Sequence, residues 1–306
     1  MLTEQLTDRL KERKIEYRPG YALSGCGTFR IGGPADLWIQ PSGTEAFIEA
    51  ARICREEGCP VTVIGNGSNS LFPDEGIRGA VIGTKGLRDL IVQGGELRAG
   101  AGVMLPRLAL EARNAGLAGL NFLSGIPGTV GGATAMNAGC YGSSMGSVLD
   151  RALVMDLSDG HTEIWTAREF GFGERDSVLL HDPSIVVLEV FFRLLPGDRK
   201  ALFEEAEQMQ KKRAGSQPLE DPSAGSVFKR HGAEAVSRLI DLCGLKGTRV
   251  GGAEVSPKHA GFIVNRGQAT AEDVKGLIRI IQDRVKAEYG FVPEPEIRIF
   301  PPEGGR

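Results

Sequence analysis
The chain is poor in the aromatic side chains that stack on bases: only four tyrosines and two tryptophans occur in 306 residues. No long basic block runs through it, and 36 Lys and Arg stand against 39 Asp and Glu, a net charge of −3. A nucleic-acid partner is therefore not expected. No apolar run reaches the roughly 18 residues that mark a membrane-spanning helix, so no membrane partner is expected either. The N-terminal MLTEQLTDRLKERK puts Leu2, Leu6 and Leu10 on one helical face, yet it is charged and lacks the apolar stretch of a signal peptide. Cysteines are few, scattered and odd in number (Cys26, Cys54, Cys59, Cys140, Cys243), with no Cys-x-x-Cys or Cys/His spacing. Reduced, buried thiols in a cytoplasmic protein are the expectation. The four histidines stand far apart, so no metal site is expected.

What the chain has in excess is glycine, 43 residues, about twice the usual share. There is no Gly-X-Y period; the glycines gather at 65–67, 94–102, 125–142 and 244–252. Such clusters mark tight turns or close approach of the backbone to another object.

Hydrophobic patterning predicts an α+β fold. Short apolar runs at 35–40, 60–64 and 80–83 flank a helix at 44–57 that Gly58 ends, a β-α-β-type opening. The middle of the chain reads as hairpins around Gly94-Gly95 and Ser158-Asp159-Gly160, a helix at 105–115 and a long strand at 185–195. After Pro196-Gly197-Asp198 a helix is predicted at 199–213, with Leu202, Phe203, Ala206 and Met209 inward. An exposed loop is predicted at 214–225, helices at 233–243 and 271–289, and strands at 261–264 and 296–300. Thr270 and Asp273 suit a capping box for the last helix. The expected division is 1–200, in subdomains of about 1–88 and 89–200, followed by a C-terminal domain over 201–306.

Two glycine-rich segments carry the chemistry. In Val61-Thr-Val-Ile-Gly-Asn-Gly-Ser-Asn-Ser70 a strand runs straight into Gly65, Asn66, Gly67, Ser68 and Asn69, where successive N–H groups can converge on an anion. A dinucleotide-type G-x-G-x-x-G turn is excluded: Ser70 stands where the third glycine belongs, and Leu71-Phe-Pro-Asp-Glu-Gly76 cannot open a helix. A polar turn and a phosphate cradle both remain open. The second segment, residues 125–142, holds six glycines in eighteen residues and too little side-chain volume to fill a core. A hinge and a ligand-facing surface both remain open there. Two such loops in one domain suggest an elongated ligand with a diphosphate.

VIGNGSNSL paired with GLNFLSGIPGTVGGATAMNAGCYG resembles the FAD domain of the vanillyl-alcohol-oxidase-like flavoproteins. PSAGSVFK, GGAEVSPKHAGFIVN and EPEIRIF narrow the resemblance to the UDP-N-acetylenolpyruvoylglucosamine reductase (MurB) family, in its shorter subclass, over about 28–300. The resemblance implies an α+β fold with a two-part FAD-binding domain of the PCMH type and a C-terminal α+β substrate-binding domain. It implies a bacterial, cytoplasmic, monomeric enzyme of peptidoglycan precursor synthesis. Non-covalent FAD and NADPH would reduce UDP-N-acetylglucosamine enolpyruvate to UDP-N-acetylmuramate, with hydride passing from flavin N5 to the β-carbon and a proton reaching the α-carbon.

That chemistry needs a cation against the carboxylate, a positioned acid and a group that assists it. By resemblance Ser226 is the proton donor, Arg175 the group that polarises the substrate carboxylate, and Glu296 the carboxyl that assists protonation. Glu294 is the sequence-level rival of Glu296, and the register of the motif favours Glu296. Bland alternatives are a strand-end serine, a surface ion pair for Arg175, and a cap or pair with Arg298 for Glu296. FAD contacts are expected from Gly65, Asn66, Gly67, Ser68, Asn69, Gly125, Ile126, Pro127, Gly131 and Gly139, with a side-chain amide from Asn137. Arg213, Gln217 and Lys229 are the candidates for the UDP moiety. Three departures stand out: Glu174 where the family usually has tyrosine, Arg230-His231 after the serine-motif lysine, and Ser70 at a usually aliphatic position. An alcohol oxidase of the same superfamily and a non-catalytic nucleotide-binding module are the competing readings. No histidine for a covalent flavin link falls in either loop.

Overall fold
A computed structural model describes residues 4–301, so the expectation for Leu2 lies outside the described residues. Among the described residues, three sheets of four or five strands meet around one cavity, beside three two-stranded pairs. In the first, Pro34–Gln40 pairs in parallel with Ile77–Gly83, which pairs in parallel with Val61–Ile64. The crossover from Pro34–Gln40 to Val61–Ile64 is the Thr44–Glu56 helix. Its Phe47, Ala50, Ala51, Ile53 and Cys54 are buried on one face, and Gly58, at φ 62°, ends it. Glu16–Ala22 adds an antiparallel edge strand. This strand was not anticipated, because EYRPGYA carries Pro19-Gly20 and exposes most of its residues.

The second sheet is antiparallel, in the order Thr162–Thr166, Leu149–Asp156, Ile185–Arg193, Glu96–Gly100, Leu90–Gln93. Both predicted hairpins are present. One buried cluster runs from Leu6 through Phe47 and Leu97 to Leu194, so the two sheets share a core.

The third sheet is the antiparallel set Ser223–Ser226, Phe262–Asn265, Ala253–Val255 and Arg249–Val250. The Ala271–Tyr289 helix covers it, burying Val274, Leu277, Ile278, Ile281 and Val285. Each such side chain contributes about 1.5–3 kcal/mol when fully buried. The predicted capping box is present: Thr270 Oγ1 accepts from Asp273 N, and Asp273 Oδ2 accepts from Thr270 N.

Several expectations change. The Arg199–Ser216 helix runs three residues past 213 and packs on the second subdomain, where Asn121 Nδ2 donates to Leu202 O. Through these contacts the helix lies with the second subdomain. Phe203 is exposed on that helix, lying beneath the Arg113 and Arg199 guanidinium groups instead of facing inward. The segment 214–225 is no exposed loop: its start is helical, Ser223–Ser226 is a strand, and Ala224 is buried. The 233–243 helix shortens to Val236–Leu242, and the 296–300 strand to Arg298–Ile299. All five thiols are free; Cys26, Cys54 and Cys59 are buried, while Cys140 and Cys243 are half-buried. Among the described residues, no helix is long and apolar enough to cross a membrane.

The C-terminal body is tied back to the first. Arg298–Ile299 pairs in parallel with Ser70–Leu71. Asp74 caps the Ala271–Tyr289 helix from across the boundary, accepting from Ala271 N at 2.8 Å and Glu272 N at 3.2 Å. Thr28 Oγ1 donates to Ser223 O, and Asn265 Nδ2 to Phe29 O.

Candidate active site
The three bodies enclose a cavity of about 720 Å³. One wall is the loop that follows Val61–Ile64. Its Gly67 has φ 60°, and a Cβ there would stand 2.7 Å from Cys26 O, so no side chain is tolerated. Among the described residues, no backbone acceptor faces the N–H groups of Asn66, Gly67, Ser68 and Asn69, and all four residues line the cavity. The side chains hold the loop in place. Asn66 donates to Pro127 O, and Asn69 Nδ2 donates to Glu296 O at 3.0 Å. Gly125, Ile126, Pro127 and Thr129 form the adjoining wall. A Cβ on Gly125 would meet Arg213 Cδ at 2.8 Å. Thr129 Oγ1 is buried without a partner.

Arg175, Ser226 and Glu296 all face this cavity. Arg175 sits on a turn closed by the pairing of Gly173 with Asp176, with its backbone at φ 54°. Its Nε donates to Glu296 Oε1 at 2.8 Å and its Nη2 to Gly139 O at 2.8 Å. Ser226 ends its strand, and its hydroxyl has no hydrogen-bond partner among the described residues. Glu296 N donates to Val227 O at 2.7 Å, which places the serine and glutamate on adjoining lengths of backbone. Burial pushes the Glu296 carboxyl above the usual carboxylate range, against the opposing pull of the Arg175 guanidinium. Glu294 instead pairs with Lys229 Nζ at 2.5 Å and is exposed.

Further residues complete the lining. Arg213 Nε and Gln217 Oε1 are buried without partners, and desolvation lowers the pKa of the Arg213 guanidinium. Arg298, which the sequence reading treated only as a possible ion-pair partner of Glu296, also lines the cavity, and burial lowers its pKa as well. Strand alternation was the available signal: in the strand expected at 296–300, residues 296 and 298 would share one side. Cys140 and Thr129 were missed too, because nothing in their local sequence sets them apart.

Three residues expected to contact ligand are found with other neighbours. Gly131 lies against Ala101, its N–H donating to Ala101 O, and it packs the Val130–Ala135 helix rather than lining this cavity. The Asn137 amide is engaged at both ends within the protein, by Gly173 O and Gly146 N. Lys229 points to Glu294 and lies outside the cavity lining. Gly139 does line the cavity, but the polar group it is seen to use there is its carbonyl, toward Arg175.

A row of free backbone donors, an orphaned hydroxyl and two desolvated cations suit a ligand bearing a diphosphate. The fold is that of a protein of the FAD-binding class, and residues of the third sheet complete the cavity lining. Residues 35–165 match the model of an FAD binding domain, and residues 217–300 match the UDP-N-acetylenolpyruvoylglucosamine reductase C-terminal domain. A UDP-N-acetylenolpyruvoylglucosamine reductase of Moorella thermoacetica is 42% identical over 287 residues, covering 94% of each chain. One of Caldanaerobacter subterraneus is 40% identical over 299 residues, covering 98% of each. The crystal structure of the MurB enzyme from Thermus caldophilus superposes with a TM-score of 0.80 at 36% identity, covering 94% of this chain and 99% of that one. The chain belongs to the UDP-N-acetylenolpyruvoylglucosamine reductase family, and it is an oxidoreductase.

Proposed function
We propose that the protein reduces the enolpyruvyl group of UDP-N-acetylglucosamine enolpyruvate to the lactyl ether of UDP-N-acetylmuramate. The step would belong to peptidoglycan precursor synthesis in the bacterial cytoplasm. Bound non-covalently, FAD would supply hydride to the β-carbon, with NADPH as the reductant that replenishes it. The N–H groups of residues 66–69 and the Thr129 hydroxyl would hold the FAD diphosphate.

The chain's own residues do the rest. Arg175 exchanges Glu296 and the Gly139 carbonyl for the substrate carboxylate, which its planar guanidinium grips through two N–H groups. Charge that builds on the α-carbon and carboxylate is thereby stabilised in a cavity of restricted solvent access. Ser226 Oγ, with no competing protein partner, presents its proton to the α-carbon. A hydroxyl is a weak acid, so transfer follows the growth of carbanion character. Glu296, favoured toward its protonated form by burial, supports that transfer. Arg213 and Gln217 carry unpaired polar atoms suited to the nucleotide end.

The observation that supports this reading most directly is the convergence of Arg175, Ser226 and Glu296 on one cavity from three separate stretches of chain. The test is anaerobic addition of UDP-N-acetylglucosamine enolpyruvate to the NADPH-reduced holoenzyme. Flavin absorbance near 450 nm should return within about a second, as typical turnover rates imply. A flavin that stays reduced would reject the substrate assignment, and reoxidation only by air would favour an oxidase.

A further inference from the structure
Asn137 was expected to offer its amide to the cofactor, and the structure gives that amide another task. The side chain is buried and is not part of the cavity lining. Its backbone is left-handed, φ 41°, a conformation that asparagine adopts more readily than most residues. Oδ1 accepts from Gly146 N at 2.8 Å, which anchors the side chain. Nδ2 donates to Gly173 O at 2.7 Å.

Gly173 opens the turn that carries Arg175. Gly173 N donates to Asp176 O at 3.0 Å, and between them Arg175 holds φ 54°. A non-glycine residue held there costs about 1 kcal/mol or more, so the surroundings must enforce it. Segment 135–139 does so through three bonds. Ser177 Oγ donates to Ala135 O at 2.7 Å, Asn137 Nδ2 donates to Gly173 O, and Arg175 Nη2 donates to Gly139 O. The third is made by the working side chain itself and must be free to change when a carboxylate arrives. The Ser177 bond fixes only the exit of the turn. The Asn137 bond is the one that fixes its entry.

We infer that Asn137 is a positioning residue for Arg175: it holds the 173–176 turn so that the guanidinium reaches the cavity, and it makes no contact with the cofactor. The inference builds on Arg175 as the carboxylate-binding group.

Two variants of the full chain separate the possibilities. Asn137→Asp keeps the shape and the acceptor for Gly146 N–H, removes the donor to Gly173 O and adds a negative charge beside that carbonyl. Asn137→Gly keeps the left-handed backbone and removes both bonds without adding charge. In both, FAD affinity of the apoprotein and the rate of flavin reduction by NADPH should stay within about twofold of wild type. The kcat/KM for UDP-N-acetylglucosamine enolpyruvate should fall at least tenfold. Combination with Arg175→Lys should add little to the larger single loss, because both changes act through one guanidinium. Hydrogen exchange of the backbone over 172–178 in the apoprotein should speed up at least tenfold in both Asn137 variants. Unchanged exchange would overturn the inference. So would a tenfold loss of FAD affinity with normal turnover at saturating FAD. If exchange accelerates while Arg175→Lys leaves substrate reduction intact, the positioning of the turn is upheld and the role proposed for Arg175 is what fails.

Discussion
Arg175 and the pair Ser226–Glu296 reach the same cavity by opposite means. Ser226 and Glu296 stand on backbone that pairs with backbone: Ser226 lies opposite Phe262, Val227 N donates to Gly261 O, and Glu296 N donates to Val227 O. Their positions follow from the third sheet and need no strained residue. Arg175 stands on a short turn with a left-handed backbone, fixed by side-chain bonds from segment 135–139. The contrast suits the two tasks proposed for them. A proton donor must not drift, because proton transfer depends steeply on geometry. A cation that trades one carboxylate for another must swing, and a turn allows that. The two supports meet at the 2.8 Å contact between Arg175 and Glu296.

The sharpest way to break the comparison is to remove the hydroxyl proposed as the proton donor. Ser226→Ala leaves the sheet and the arginine turn untouched, since the Ser226 hydroxyl has no protein partner among the described residues. Flavin reduction by NADPH should stay within about twofold, while the second half-reaction slows by about 10²–10⁴-fold, the usual value of a positioned acid. Stopped-flow absorbance of each half-reaction checks this. Equal slowing of both halves would mean that Ser226 supports the cavity in general and is not the proton donor.

A smaller effect should come from loosening the seat of the C-terminal body. Asp74 caps the Ala271–Tyr289 helix across the boundary through two backbone N–H groups. Asp74→Ala should cost about 1 kcal/mol, the usual worth of such a cap, or roughly 1–3 °C in the thermal midpoint. Because Arg298–Ile299 still pairs with Ser70–Leu71, turnover should change less than about threefold, within roughly 0.7 kcal/mol of barrier. A large loss of turnover with an unchanged midpoint would show that the cap sets the position of Ser226 and Glu296 directly.

Much of this arrangement was legible in the residues. The β-α-β opening, both hairpins, the capping box at Thr270 and Asp273 and the long C-terminal helix follow from local periodicity and turn chemistry, and the structure contains them. The candidate site was legible through its glycines: a loop such as 65–69 turns its backbone toward the cavity. What was not legible depends on distant partners. Segment 214–225 looks polar and open, yet Ser223–Ser226 finds Phe262–Asn265 in the sheet. Phe203 is apolar and was placed inward, but nearby arginines give it a half-exposed seat. Asn137 sits within a glycine-rich, ligand-like motif, and only the fold shows that Gly173, 36 residues on, takes its donor. Lys229 reads as a free cation until Glu294, from the far end of the chain, lies beside it.

The smallest effect is the most specific to the junction of the two supports. Burial raises the pKa of Glu296 above its unfolded value, and Arg175 only partly opposes this. The folded state therefore holds the proton more tightly than the unfolded chain does. The stabilisation linked to that proton is fully present below the unfolded carboxylate pKa and is lost as pH rises through the raised folded value. Glu296→Gln cannot titrate, so it carries no such loss. Measured as the variant's thermal midpoint minus that of wild type, the difference should grow more positive from pH 4 to pH 8, whatever its offset from the broken Arg175 contact. A difference that falls as pH rises would mean that Arg175 dominates burial, holding Glu296 ionised. The arginine would then be locked by the glutamate in the resting site and not merely lent to it.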